Sequence, residues 1–226
     1  MRIWRMWATA FLALTAAGCA APPVYTDVNR FPSTSLPATL EGKTFAFLPT
    51  DKQEGSVEYE THAAMIASYL EKQGWRRVSD LKTADYAVMF SYGQSGGRVE
   101  TYQSPIYGQT GGGTTSYTSG TVSAYGSGGS GYGSYSGTTY TPPTYGVVGT
   151  ATESRTVYTR FLDAEIYDWR RTVLENKRVG VWEGKATSNG VNSSFAVVSK
   201  CMIRAVFENF RKSGSENVRI PFEQCQ

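Results

Sequence analysis

The 226-residue sequence predicts an α+β fold: one mostly antiparallel sheet with two helices packed on one side, interrupted by a flexible Gly/Ser/Tyr-rich segment. Three observations predict it. Strand-like apolar runs occur in both halves of the chain. Two segments repeat apolar residues at helical spacing between capping signals. Between the halves, Thr101 to Thr152 contains no charged residue, and glycine, serine, threonine and tyrosine dominate it.

The elements follow in order. Lys43 to Leu48 carries Phe45, Phe47 and Leu48 in a strand-like run that Pro49 stops. Ser56 offers a helix cap, and Glu58 and Glu60 place negative charge in the first turn, where the helix dipole favours it. Met65, Ile66, Tyr69 and Leu70 recur at helical spacing until Gly74. Trp75 to Val78 reads as a second strand. Ala87, Val88, Met89 and Phe90 form a third, apolar enough to be covered on both faces. After the uncharged middle, Thr156 to Tyr167 reads as a strand, Asp168 to Arg171 as a turn, and Arg178 to Thr187 as the returning strand. Asn192 or Ser193 then caps a final helix, in which Phe195, Val198, Met202, Val206 and Phe210 mark a buried stripe and Gly214 is the stop.

Met1 to Gly18 reads as a signal peptide. Arg2 and Arg5 give a basic start, and the apolar run from Met6 to Leu14 is well short of the roughly 20 residues that span a bilayer. Small residues Ala16, Ala17 and Gly18 lead into Cys19, the acceptor pattern of a bacterial lipoprotein, although Ala16 stands where Leu is usual. Lipid on Cys19, palmitate among its acyl chains, would hold the protein on a membrane, because each buried methylene contributes about 0.8 kcal/mol. Ala20 is not the Asp that retains lipoproteins on the inner membrane, so the expected location is the outer membrane, facing the periplasm. Residues 19–40, with Pro22, Pro23, Pro32 and Pro37, read as an extended tether. The expected division is then a signal peptide over 1–18, the tether over 19–40, one α+β domain from 41–100 and 151–226, and a low-complexity insertion over 101–150.

Composition narrows the function. Without the signal peptide the chain holds 20 basic against 19 acidic side chains, so the electrostatic footprint of a nucleic-acid binder is missing. Three cysteines divide as one plus two: with Cys19 lipidated, Cys201 and Cys225 remain as a pair for a disulfide in an oxidising compartment. A structural zinc site wants about four Cys or His ligands, and His62 is the sole histidine, so neither metal nor cofactor is expected.

The chain resembles a bacterial lipoprotein family catalogued as domain of unknown function four-one-three-six. The likeness rests on the lipid-anchored start, Lys43-Thr44-Phe45-Ala46-Phe47, the helix end Leu70-Glu71-Lys72-Gln73-Gly74-Trp75, and Ala84-Asp85-Tyr86-Ala87-Val88. It continues through Phe161-Leu162-Asp163-Ala164-Glu165-Ile166-Tyr167-Asp168 and Val181-Trp182-Glu183-Gly184-Lys185-Ala186. The resemblance implies an envelope location and an α+β fold. It lends no catalytic residue.

No catalytic constellation stands out. Gly126, Gly128 and Gly131 satisfy G-x-G-x-x-G, but inside a glycine-serine tract with no strand before or helix after it, which phosphate binding requires. Asp163, Glu165, Asp168 and Glu183 lie on a hairpin and could support glycoside cleavage. With Arg160, Arg170, Arg171 and Lys185 nearby, a charge-paired solvated strand face is the expectation. His62 is expected on a helix surface or half-buried. The unusual feature is a set of tyrosines spaced by small residues: Tyr102, Tyr107, Tyr117, Tyr125, Tyr132, Tyr135, Tyr140 and Tyr145. Of these Tyr117, Tyr125, Tyr132, Tyr135 and Tyr140 are candidate ligand contacts, since phenol rings stack on sugars or on one another and weak contacts add. The expected role is therefore that of a lipid-anchored envelope protein with a non-enzymatic binding or structural role, contacting an envelope protein or a glycan such as peptidoglycan.

Overall fold

The structure is a computed structural model that describes residues 22–225. The signal peptide and Cys19 lie outside the described residues. The chain divides into two compact units, one holding the described residues up to Arg98 and from Val157 onward, the other Val99–Thr156.

In chain order the elements are β1 (Val24–Pro32), β2 (Thr44–Phe47), α1 (Val57–Lys72), β3 (Arg76–Arg77), β4 (Tyr86–Gln94), β5 (Arg98–Gly111), β6 (Thr114–Gly126) and β7 (Gly129–Thr141). Then come β8 (Thr144–Asp168), α2 (Trp169–Glu175), β9 (Gly180–Gly190), α3 (Ser199–Phe207) and β10 (Gly214–Ile220). The main sheet runs β10-β1-β9-β8-β4-β2-β3. It is antiparallel except that β2 runs parallel to β3 and β4. The fold is α+β with a mostly antiparallel sheet.

β1 corrects the reading of residues 19–40 as a tether. It lies between β10 and β9, with Val24, Thr26, Val28 and Arg30 turned inward and buried while Tyr25, Asp27 and Phe31 face out. Its period is two, yet Thr26 and Arg30 hide that period from a search for apolar alternation. The prolines flank rather than interrupt it: Pro22 and Pro23 precede the strand and Pro32 ends it, where no inner ladder bond is lost.

Ser56 caps α1 as expected, its hydroxyl accepting from the Tyr59 amide at 3.3 Å. β4 is an inner strand between β2 and β8, with Ala87 and Val88 fully buried, but the face it was expected to bury through Met89 opens from there on, Met89 being partly exposed and Ser91 exposed beside Glu165 and Asp163. The expected turn after Asp168 is instead a short third helix, α2, which Asp168 caps through the Arg171 amide at 3.0 Å. The last helix is shorter than the sequence implied. Val198, without a side-chain bond, is its N-cap, and Gly214 opens β10 instead of closing the helix. Its expected stripe of Phe195, Val198, Met202, Val206 and Phe210 is nevertheless buried.

Aromatic contacts centre the core. Tyr59 of α1 stacks on Phe90 at 4.5 Å between ring centres, and Trp182 of β9 stacks on Phe210 at 4.7 Å. The Trp182 indole donates to the Phe210 carbonyl at 2.8 Å, so its one polar atom is satisfied inside the core. Cys201 and Cys225 form a disulfide that closes a 24-residue separation. A crosslink of that span contributes about 3 kcal/mol by restricting the unfolded chain.

Candidate functional site

The unit Val99–Thr156 is built entirely of strands. Its charges gather at one end: Arg155 pairs with Glu100 at 3.2 Å, and the Tyr102 hydroxyl donates to Glu153 at 2.8 Å. β5 pairs with β8. The chain then bends at Gly112 and Gly113, both at positive φ, where a Cβ on Gly112 would sit 1.9 Å from the Pro142 carbonyl oxygen. Beyond the bend β6 and β7 form a separate two-stranded ladder whose register is continuous from Thr114↔Thr141 to Gly126↔Gly129. Within the segment expected to be flexible, these residues thus form a two-stranded hairpin.

That register decides where the candidate tyrosines go. Directly opposed residues of an antiparallel pair share a face, and faces alternate with period two. Thr115↔Tyr140, Tyr117↔Thr138, Ser123↔Tyr132 and Tyr125↔Ser130 all lie on one face. Tyr117 and Tyr140 are diagonal neighbours there, as are Tyr125 and Tyr132, whose hydroxyls are 3.4 Å apart. The second pair repeats the first after 8 residues, about 27 Å at the rise of a strand. Only serine and threonine lie between them: Ser119, Thr121, Ser123, Ser134, Ser136 and Thr138. Tyr135 falls on the opposite face, its ring lying across Gly120, where a Cβ would come within 2.6 Å. Four of the five candidates therefore share a surface and the fifth does not. All five are more than half exposed.

The carboxylates are arranged differently from the sequence expectation. Asp163 faces Lys185 across the β8–β9 ladder, but Glu165 faces Glu183, a like-charge pair. Tyr167 donates its hydroxyl to Glu165. Asp168 is spent on the α2 cap. Of the expected basic partners, Arg160 is buried against Ser188 and Asn192, Arg170 pairs with Asp85 at 2.8 Å, and Arg171 pairs with Glu175 at 2.9 Å. Of the expected charge-paired face, the register leaves Asp163 opposite Lys185, because Arg160 is turned to the buried side of the sheet and α2 carries the other two arginines.

His62 is also not where the sequence put it. It is 2% exposed, edge-on to the rings of Tyr92 and Phe195, with Glu58 at 3.6 Å. Desolvation lowers its pKa against the opposing pull of Glu58. Among the described residues no cluster of three or more His, Cys, Asp or Glu is placed to hold a metal, and no helix is long and apolar enough to cross a membrane.

Sequence reasoning missed Arg30, a buried guanidinium on β1. It donates through Nε to the Val206 carbonyl at 2.8 Å and through Nη2 to the Ala205 carbonyl and, at 3.0 Å, to Glu216. A proline-flanked segment gave no signal for it. Sequence reasoning also missed an open, largely apolar groove of about 640 Å³ beside α2, lined by Leu81, Ala84, Trp169, Val173 and Leu174 among others.

These features define a class: an α+β domain with an uncharged, tyrosine-faced β-hairpin inserted between the halves of its sheet. The chain belongs to the family described as Domain of unknown function (DUF4136), which matches residues 24–210 and so begins at the first residue of β1. Among solved structures the chain is similar to a PDZ domain protein from Parabacteroides distasonis ATCC 8503, at 12% identity and a TM-score of 0.40. That alignment covers 89% of this chain but 39% of the other, and a likeness of this degree carries no functional argument. No curated protein matches the chain.

Proposed function

We propose that this chain is a non-enzymatic lipoprotein of the cell envelope, anchored through lipid on Cys19 to the outer membrane and facing the periplasm. On this reading it binds an envelope protein or glycan through the β6–β7 hairpin. The observation that carries the proposal is the shared, exposed face of Tyr117, Tyr125, Tyr132 and Tyr140. Flat phenol rings over a floor of hydroxyls and no charge suit a neutral polyhydroxylated ligand better than an anionic one. The Cys201–Cys225 bridge is consistent with an oxidising compartment. In the same reading α1 and α3 cover one face of the main sheet, which the ring contacts of Tyr59 and Trp182 support, and the Gly/Ser/Tyr-rich insertion is a flexible segment, which its two-stranded, largely exposed ladder supports.

Two measurements test it. Cells fed labelled palmitate incorporate label into the wild-type chain and not into Cys19→Ser; an unlabelled wild-type chain removes the anchor. The full chain co-sediments with peptidoglycan or crosslinks to one envelope protein in intact cells. Changing Tyr117, Tyr125, Tyr132 and Tyr140 together to Ser abolishes the capture, while Tyr135→Ser leaves it. Equal capture by both variants would remove the tyrosine face from the mechanism.

The facing pair Glu165 and Glu183 favours a second reading, glycan hydrolysis by paired carboxylates. Soluble fragments released from peptidoglycan by the wild-type chain and lost in Glu165→Gln are its signature.

A further inference from the structure

The two-stranded ladder of β6 and β7 lacks what usually stabilises such a pair. Among the described residues no third strand joins it, and neither face is buried: every residue of β6 except Gly120, and every residue of β7, is exposed. A hairpin of two strands is marginal in water unless further strands or a helix join it. Its free edges are also undefended. Exposed edges are normally blunted by lysine, proline or a bulge. β6 has no charge and no proline, and its register with β7 is unbroken over its whole length. The two edges differ in quality, because β7 carries Gly129, Gly131, Gly133 and Gly137 while β6 has fewer glycines and is richer in the β-branched residues Thr and Val.

We propose that the free edge of β6 pairs antiparallel with β6 of a second copy of this chain, forming a four-stranded sheet with the β7 strands outermost. An identical strand is a suitable partner because an uncharged edge meets no like-charge repulsion from itself. Pairing about a two-fold axis uses the same edge twice and closes, so it gives a dimer and not a filament. With that axis normal to the sheet, odd-numbered β6 residues of both copies stay on one face. Tyr117, Tyr125, Tyr132 and Tyr140 of the two copies then merge into one surface of eight rings. This last consequence rests on the binding role proposed above; the pairing itself does not.

The test needs neither membrane nor glycan. Light scattering of the full chain in detergent is expected to give a dimer. Thr118→Lys combined with Thr121→Lys places like charges along the β6 edge and weakens dimerisation by at least roughly tenfold. Ser134→Lys combined with Ser136→Lys on β7 leaves the dimer intact. As a second measurement, single cysteines at Ser119, Thr121 and Ser123 form disulfides between copies, with a maximum at one position, and cysteines at Ser134 and Ser136 do not. A monomeric wild-type chain overturns the proposal. So does a dimer indifferent to the β6 lysines, or crosslinking that favours β7.

Discussion

Arg30 joins three elements through one guanidinium, holding the last carbonyls of α3 and the Glu216 carboxylate of β10 from a position on β1. A cation at a helix C-terminus is favoured by the dipole, and the planar fork of arginine suits several acceptors at once. Arg30→Ala strands the buried carbonyls of Ala205 and Val206, so it should lower stability by about 3 kcal/mol. Arg30→Lys should recover only part of that loss. Urea unfolding of the full chain, read at the midpoint with unchanged slope, checks both. His62 sets a pH dependence. Burial holds its folded pKa below the ordinary value of 6.5, so between those two values the unfolded chain binds the extra proton. Its contribution to stability is complete above about pH 6.5 and is lost as pH falls through the folded value. The wild-type urea midpoint should therefore fall from pH 7 to pH 5, and His62→Leu should flatten the decline. An unchanged slope in that variant would assign the acid sensitivity to other groups.

On β9 one glycine shows how an element accommodates its own core residue. Gly184 lies two residues after Trp182, on the same face of the strand, and a Cβ there would meet the Trp182 ring at 2.2 Å and Val206 at 2.8 Å. The missing side chain lets the indole lie along the strand and reach the Phe210 carbonyl. Gly184→Ala should cost about 2 to 3 kcal/mol, the range for overpacking a close-packed core. Thermal unfolding followed by Trp fluorescence would register it as a lower Tm and an altered native spectrum. The sequence pattern Trp182-Glu183-Gly184 was legible as a strand motif, but the reason for its glycine was not, because α3 supplies half of the collision. Element boundaries in the second half show the same limit. Residues 192 to 198 keep an apolar spacing that suits a helix, yet only Ser199 to Phe207 is helical. Tertiary packing uses Phe195 and Val198 from non-helical backbone, so burial spacing outlasted the helix itself.

For the molecule as a whole, the division into two units has a direct consequence. The β6–β7 hairpin is largely exposed, and the core cluster draws no residue from Val99–Thr156. Deleting residues 108 to 146 should therefore leave the rest of the chain folded, with the Cys201–Cys225 bridge formed and the cooperative urea transition retained. Loss of cooperativity would mean that the insertion contributes to the core of the first unit. Tyrosine capture and β6 pairing should both vanish in that deletion while Arg30 and His62 keep their effects on stability, since distant sites add independently.

By itself the sequence determined what depends on local pattern: the α+β class, the cap of α1, the strand β4, the pairing of the last two cysteines and the uncharged nature of the insertion. These rest on periodicity, capping chemistry and counting, which need no knowledge of distant neighbours. Only the tertiary structure decided that Val24–Pro32 is an inner strand, because its inward positions hold Thr26 and Arg30, whose burial is tolerable only with partners supplied from far along the chain. Register is likewise a property of two strands together. It alone placed Tyr117, Tyr125, Tyr132 and Tyr140 on one face, left Tyr135 on the other, and set Glu165 against Glu183.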